Sequence, residues 1–426
     1  MDRLQHMRVV TVLAVIGVTS SALANGFRNP PEGAWAMGRT GGKIAQVDDA
    51  SAVTHNPANL TQVPQPEAAV SLTLIHTETE FSAPYGSTGT EDPWKFLPNV
   101  FVAVPLEDRR FAAGLAVTTP FGQSTVWDEA GLFRYSAPYS AELAVINVNP
   151  AVAMKVTDSV SVGAGLDVFL SRLDLKQWIP WSRVTGRPMS PDGAAQLQGD
   201  GVGVGANAAL TVRPADGHAV ALTYRSPVTV DYEGECELGG FPAGAEGAGL
   251  SRSSDFETSV EFPTIVGLGY GVEVTDKWRV EADVEWIEFS RYDALELDAG
   301  NNNLLLNSPQ SASPTAPAVV RQDWKDTWTF GVGTDYAVTE TVTLRAGYIY
   351  LQSPIPDETL APTLPDADRH VVSLGAGFRQ GRNRLDLGYA YSLIGDRDIG
   401  NNQNPAYNGT YETTSHLMSV AYGRTF

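Results

Sequence analysis

The chain offers almost no sulfur chemistry. Cys236 is its only cysteine among 426 residues, so no intramolecular disulfide can form, and a fold of this length needs none. It lies in YEGECELGG, which reads as loop, and a free, unreactive thiol is expected there. Histidine is equally sparse. Beyond the first residues the chain holds His55, His76, His218, His370 and His416, and none stands at ligand spacing from a partner. No GxSxG occurs, and nothing pairs a nucleophile with a base. Catalytic residues, metal and cofactor are therefore all expected to be none. Lys and Arg number 29 against 49 Asp and Glu, a net charge of −20. That excludes the basic clusters by which proteins hold nucleic acid. After the first two dozen residues no apolar run reaches the ~20 residues of a spanning helix. A β-barrel stays open, because its strands alternate in hydropathy and satisfy their backbone groups between neighbours.

What is present begins with a leader. Arg3 and Arg8 precede VVTVLAVIGVTSSALA, which ends in the small-x-small site Ala22-Leu23-Ala24. Residues 1–24 read as a secretory signal peptide, with the mature chain starting near Asn25.

From about residue 68 the pattern has period two. In TVTLRAGYIYL, Val342, Leu344, Ala346, Tyr348 and Tyr350 share one face, and Thr343, Arg345 and Gly347 the other. RLDLGYAYSL and SVSVGAGLDVFL repeat the scheme. One face is aliphatic and aromatic; the other is Gly, Ser, Thr, Asn and charge. The polar face of a soluble sandwich is usually long and charged, whereas a small, glycine-rich interior with an apolar exterior suits a barrel in lipid.

The connections have a rhythm. Short turns near 106–110, 157–159, 214–218, 275–277, 339–341 and 380–383 alternate with long stretches near 81–96, 119–140, 177–199, 231–253, 297–322, 352–368 and 397–412. Outer-membrane barrels have short periplasmic turns and long outer loops, with an even strand count; about fourteen strands fit between these breaks. Trp278, Trp286, Trp324, Trp328, Tyr336, Tyr348 and Tyr350 gather near strand ends, as interface girdles do. The chain closes on HLMSVAYGRTF, where Met418, Val420, Tyr422 and Phe426 share a face.

Residues 25–66 do not follow the alternation. NGFRNPPEGAWAMGRTGGKIAQVDDASAVTHNPANL is irregular and rich in small residues. With LAVTTPFGQSTVW, INVNPAVAMKVTDSVSVGAGLDV and the later strand pairs at 262–290 and 344–378, its order and spacing resemble the FadL-type outer-membrane transporters of long-chain fatty acids and other hydrophobic compounds, a family that includes a branch for aromatic hydrocarbons. The resemblance covers nearly the whole mature chain. It implies an all-β fold: a transmembrane antiparallel barrel of about fourteen strands (67–426) with an N-terminal hatch (25–66) inside the lumen, in the bacterial outer membrane. It further implies ligand capture at outer loops, binding within the barrel and sideways exit at a kinked third strand. The terminal Phe426 resembles the signal read by the barrel assembly machinery. The implied partners are a hydrophobic small molecule and outer-membrane lipid, with a monomeric chain.

Four groups of residues are singled out. Pro120 breaks a strand, where proline removes a ladder hydrogen bond. It sits either at a loop start or, as the resemblance implies, in a kink over Thr118, Thr119, Pro120, Phe121 and Gly122 that opens the wall. Phe27, Asn56, Pro57 and Ala58 belong to the hatch, and Asn56–Ala58 reads as a latch against the kinked strand. Trp178, Ile179 and Trp181 are apolar in an outer loop, which suits either an interface belt or an exposed capture patch. Arg225, Lys325 and Arg345 should point into the lumen, either to bind a carboxylate or to fill the barrel with ion pairs. A porin or a purely structural or adhesive barrel is the alternative; a porin's wide channel usually needs more strands and no plug. The leader reading predicts a simple outcome: the intact mass of protein extracted from outer membranes corresponds to a chain beginning at Asn25, and a mass that retains residues 1–24 would contradict cleavage.

Overall fold

The computed structural model describes residues 26–106, 110–306 and 316–426. The leader assigned to 1–24, the centre of the 106–110 turn and part of the 297–322 loop lie outside them. Fourteen antiparallel strands close into a barrel. They are β1 (Glu67–Ala83), β2 (Gly86–Glu91 and Trp94–Leu106), β3 (Phe111–Thr118 and Gly122–Trp127), β4 (Ser140–Lys155), β5 (Val160–Ile179), β6 (Gly193–Val212) and β7 (His218–Arg225 and Val228–Leu238). There follow β8 (Ser253–Phe262 and Ile265–Thr275), β9 (Trp278–Ile287), β10 (Thr327–Ala337), β11 (Val342–Leu351), β12 (Arg369–Gln380), β13 (Asn383–Ile394) and β14 (Gly409–Thr425). Each strand pairs with the next, and β14 returns to β1 from Glu67↔Thr425 to Ser82↔Thr410, which removes the free edge.

Several stretches expected to be loops are strand. β1 runs on to Ala83, β5 to Ile179, and β6 begins at Gly193. The alternating Thr-Glu-Thr-Glu of β1 explains its extension: Thr79 and Thr413 meet hydroxyl to hydroxyl at 2.9 Å across β1 and β14. β5 and β6 stay paired from Val160↔Val212 to Ile179↔Gly193. At ~3.3 Å per residue these strands are far longer than the ~30 Å hydrocarbon core, even when tilted, so they project beyond the membrane. A two-stranded ladder of Ala294–Leu297 and Ala318–Arg321 adjoins β8, where Glu257 bridges Asp298.

The exterior follows the alternation read from the sequence. Leu344, Tyr348, Leu385, Leu387, Met418, Val420, Tyr422 and Phe426 are all exposed on the outer wall. The histidines join the girdles: His370, His416 and His218 each hydrogen-bond a neighbouring tyrosine hydroxyl (Tyr348, Tyr389 and Tyr270) at 2.7–2.9 Å.

The interior is filled by residues 26–63, of which only Asp48 is exposed. They form α1 (Ala34–Gly38), α2 (Ala52–His55) and a 3-10 turn (Pro57–Gln62). These elements are too short to stand alone. Asn56 caps the last one, its side-chain oxygen accepting the Ala58 N–H at 3.0 Å with Pro57 in the first turn. Backbone lies directly on backbone where α1 and the turn after it meet the wall, and this is why the inward face is glycine-rich. A Cβ on Gly347 would stand 2.5 Å from the Arg39 carbonyl carbon, and one on Gly375 would stand 2.8 Å from the Gly38 Cα. Gly347→Val is therefore predicted to let the barrel insert but to unseat the inner segment. Limited proteolysis checks this: cuts appear within 26–63 in the variant and not in Gly400→Ala, where a Cβ meets nothing within 4 Å.

Candidate functional site

The third strand is broken where Pro120 lies. Its lower part pairs with β2 up to Val100↔Val117 and with β4 up to Asn147↔Thr118. Pairing with β4 resumes at Gly122↔Ala144, so Thr119, Pro120 and Phe121 stand opposite only Val145 and Ile146. That is a one-residue bulge. On the other side the β2 ladder returns only at Glu91↔Val126 and Thr90↔Trp127. Between Val117 and Val126 the wall therefore has a seam.

The bulged backbone is not left bare. Phe27–Asn29 lies along it from the inside as a short surrogate strand. The Asn29 N–H donates to the Pro120 carbonyl at 2.9 Å, and the Gly122 N–H to the Phe27 carbonyl at 2.8 Å. Asn29 Nδ2 donates to the Thr119 carbonyl at 2.9 Å, and the Thr119 N–H to Asn99 Oδ1 at 3.2 Å. Buried amides and carbonyls must find partners, and here the inner segment supplies those the neighbouring strand withholds.

Phe27 also centres a box of rings. Its centroid lies 5.0 Å from Trp324, 5.3 Å from Phe262, 5.4 Å from Tyr292, 5.7 Å from Phe289 and 6.0 Å from Phe121. Most of these pairs are edge-to-face, the arrangement aromatic quadrupoles favour. Phe27 and Trp324 line an outer cavity of about 640 Å³, walled by Leu143, Leu173, Leu295, Leu305 and Leu360 among others. Phe121 and Pro120 line an inner cavity of about 100 Å³ that also touches Ile265, Ile349, Val371 and Leu417. The rings stand between the two spaces.

The inner segment is pinned by charge on the side away from the seam. Glu281 on β9, wholly buried, accepts the backbone N–H groups of Ile44, Ala45 and Gln46 at 2.6, 2.5 and 3.1 Å and the Arg39 guanidinium at 3.1 Å. Asp283 accepts the Lys43 N–H at 2.7 Å. Arg39 also reaches Asp335, which binds Arg345 at 3.0 Å; Arg345 binds Asp386 at 2.8 Å, and Arg384 continues the chain to Asp49 at 2.8 Å and Glu67 at 3.1 Å. His55 sits buried beside Glu32, with Nε2 2.9 Å from the Glu32 carbonyl. Burial holds its imidazole below the ordinary range. Among the described residues no group of three or more His, Cys, Asp or Glu is placed to hold a metal ion.

Thr118–Gly122 forms the bulge, and Phe27 lies against it. The Asn56–Ala58 turn does not. Asn56 Nδ2 donates to the Ile44 carbonyl at 2.7 Å and to Thr211 on β6 at 2.9 Å, and Thr61 meets Ser161 on β5 at 3.0 Å. The turn is seated on β5 and β6, where inward Gly163 leaves room for the Pro57 backbone. The segment that lies against the bulge is Phe27–Asn29. Trp178, Ile179 and Trp181 are not an exposed patch. Trp181 is wholly buried, donating to the Gly239 carbonyl at 3.0 Å and packing on Phe241, while Arg134 covers Trp178 at 4.2 Å. The chain folds back on itself there because α-helical Trp181–Thr185 turns the tryptophan inward. Lys325 is exposed in the loop ahead of β10, outside the lumen. Arg345 faces inward but is absorbed by the ion-pair chain, and Arg225 alone of the three lines the inner cavity. Trp324 leaves the expected girdle for the aromatic box. Phe262, Phe289 and Tyr292 went unread, since a single aromatic in a strand or loop carries no sign of the neighbours it will meet.

A family profile described as "Outer membrane protein transport protein (OMPP1/FadL/TodX)" matches residues 15–426. The long-chain fatty acid transport protein of Salmonella typhi is 24% identical over 406 residues, covering 89% of this chain and 90% of its own. The crystal structure of a Pseudomonas aeruginosa FadL homologue superposes with a TM-score of 0.82 at 22% identity, over 94% of this chain and all of the other. The P. putida toluene transporter TodX gives 0.72 at 17% identity, over 93% and 99%.

Glu281 should carry the seating of the inner segment. Glu281→Gln keeps one acceptor oxygen, sets an NH2 donor against the other donors and leaves Arg39 with Asp335 alone, and breaking a buried pair from one side costs about 3–5 kcal/mol. The expected result is amide hydrogen exchange at residues 44–46 faster by at least 100-fold, with the heat-modifiable electrophoretic mobility of the barrel unchanged. Unaltered protection would contradict the assignment.

Proposed function

This chain belongs to the FadL/TodX family of outer-membrane transport proteins, and from that premise we propose how it moves a hydrophobic compound across the outer leaflet. It is a transporter and not an enzyme, and its barrel sits in the outer membrane. In our reading, ligand collects in the leucine-lined outer cavity, where apolar surface leaves water favourably. It passes the ring box when Phe27 moves, reaches the inner cavity, and leaves sideways into the bilayer through the β2–β3 seam. Residues 25–66 act as the hatch that closes the direct way to the periplasm. Phe426 at the outer-wall end of β14 serves as the assembly signal, and the chain works as a monomer.

The observation that carries this reading is the seam itself. A closed barrel has every reason to pair β3 with β2 throughout, because unpaired backbone at membrane depth costs several kcal/mol. Here that pairing is given up over the stretch that adjoins the inner cavity, and the loss is compensated from inside by a segment that can leave. Long-chain fatty acids and aromatic hydrocarbons are the cargoes named for the relatives, and a hydrophobic compound of one of these kinds is the proposed cargo.

Deleting Pro120 restores two residues against two between β3 and β4 and should straighten the strand. Uptake of toluene and of oleate by cells carrying the deletion is predicted to fall at least tenfold, with normal insertion and heat-modifiable mobility. Undiminished uptake by a correctly inserted deletion would count against lateral exit.

A further inference from the structure

The charges around the inner cavity bear on which hydrophobic compounds pass, given that transport reading. Three cations reach the cavity: Arg28, Lys43 and Arg225. None is spare. Arg28 forks onto Glu285 with Nη1 and Nη2 at 3.1 and 2.9 Å, and Lys43 Nζ meets the same carboxylate at 2.9 Å. Arg225 donates to Asp167, which is wholly buried and also held by Asn147 at 2.7 Å and Asn207 at 3.0 Å. Glu32 adds a further carboxylate, and its neighbour His55 is a poor counter-charge because burial disfavours its protonation. In the outer cavity Arg321 is paired with Asp323 at 2.7 Å, and Glu142 lines the wall.

A carboxylate ligand entering this path would shed its water and meet acids, or cations already engaged. It would compete with Glu285 for Arg28 and Lys43, crowding two buried anions onto the same pair of cations. An uncharged molecule can pack on the leucines of the outer cavity and on Phe121, Ile265, Ile349 and Val371 of the inner one, and it disturbs no pair. We infer that the path selects uncharged hydrophobes over their carboxylates, and that Glu285 is the specificity-determining residue because it occupies the two cations that would otherwise hold an anion.

The matched pair of oleate and methyl oleate isolates the charge while keeping the chain. Binding of each to purified protein in nanodiscs is measured at a pH where the acid is ionised. Methyl oleate is expected to bind at least tenfold more tightly. In Glu285→Gln, which frees Arg28 and Lys43, the preference is expected to shrink by at least fivefold or invert. Equal or tighter binding of oleate by the wild type overturns the inference and leaves the transport reading standing. Binding of neither compound overturns both. A folded Glu285→Gln that keeps the full wild-type preference removes the role from Glu285. If that variant fails to insert, the wild-type ratio still decides the selectivity.

Discussion

A strand inside a bilayer has nowhere to send a backbone amide except to another strand, and everything distinctive in this barrel follows from how the third strand meets that demand. Thr119–Phe121 bulges away from the regular ladder and loses β2 as a partner. Without substitutes, the carbonyls of Thr119 and Pro120 and the amide of Gly122 would face apolar surroundings unpaired. Phe27 and Asn29 answer each of them at 2.8–2.9 Å. The seam is thus stable only while the N-terminal arm lies against it, and the arm's position in turn depends on what holds the rest of the inner segment.

That holding is asymmetric. On the β9–β13 side, Glu281 gathers three amides and a guanidinium, and an unbroken run of Arg and Asp or Glu leads from Arg39 to Glu67. On the β3 side the arm has a few neutral hydrogen bonds, each worth about 0.5–1.5 kcal/mol net, a ring packed among rings, and one ion pair, Arg28 to Glu285 on β9. Undoing one buried ion pair costs several times as much as one of these bonds. With one such pair against several, the arm at residues 26–30 is held more lightly than the 39–46 turn, and its motion requires Arg28 to leave Glu285. Glycines serve the same division: they let Gly38–Gly42 lie flush on β10–β12, so the anchored part is also the most closely packed.

The barrel was legible from sequence because lipid and lumen enforce strict alternation over many strands, and turn residues mark the rims. Leu344, Tyr348, Leu385 and Tyr422 face outward as their parity requires. The bulge was legible from Pro120 with the family resemblance beside it. Partnerships between distant segments were not legible. Nothing adjacent to Phe27 announces Trp324 or Phe289, and nothing near Glu285 announces Arg28 and Lys43. Trp178 and Trp181 misled because hydrophobic residues in a loop read as exposed until the loop is seen to fold over them. Asn56-Pro57-Ala58 looked like a latch through its turn chemistry. It caps a 3-10 turn seated on β5 and β6, and Thr211 and Gly163 were the unseen half of that contact.

The central claim is that cargo meets the bilayer through the β2–β3 seam. A photoreactive, diazirine-bearing alkane loaded into the protein in nanodiscs, followed by mass-spectrometric mapping of its adducts, tests it most directly. The account predicts adducts on Phe27 and Phe121, on Leu97 and Asn99 of β2, and on lipid. Adducts confined to the periplasmic face of the inner segment, around Asp48 and Gln65, would contradict it.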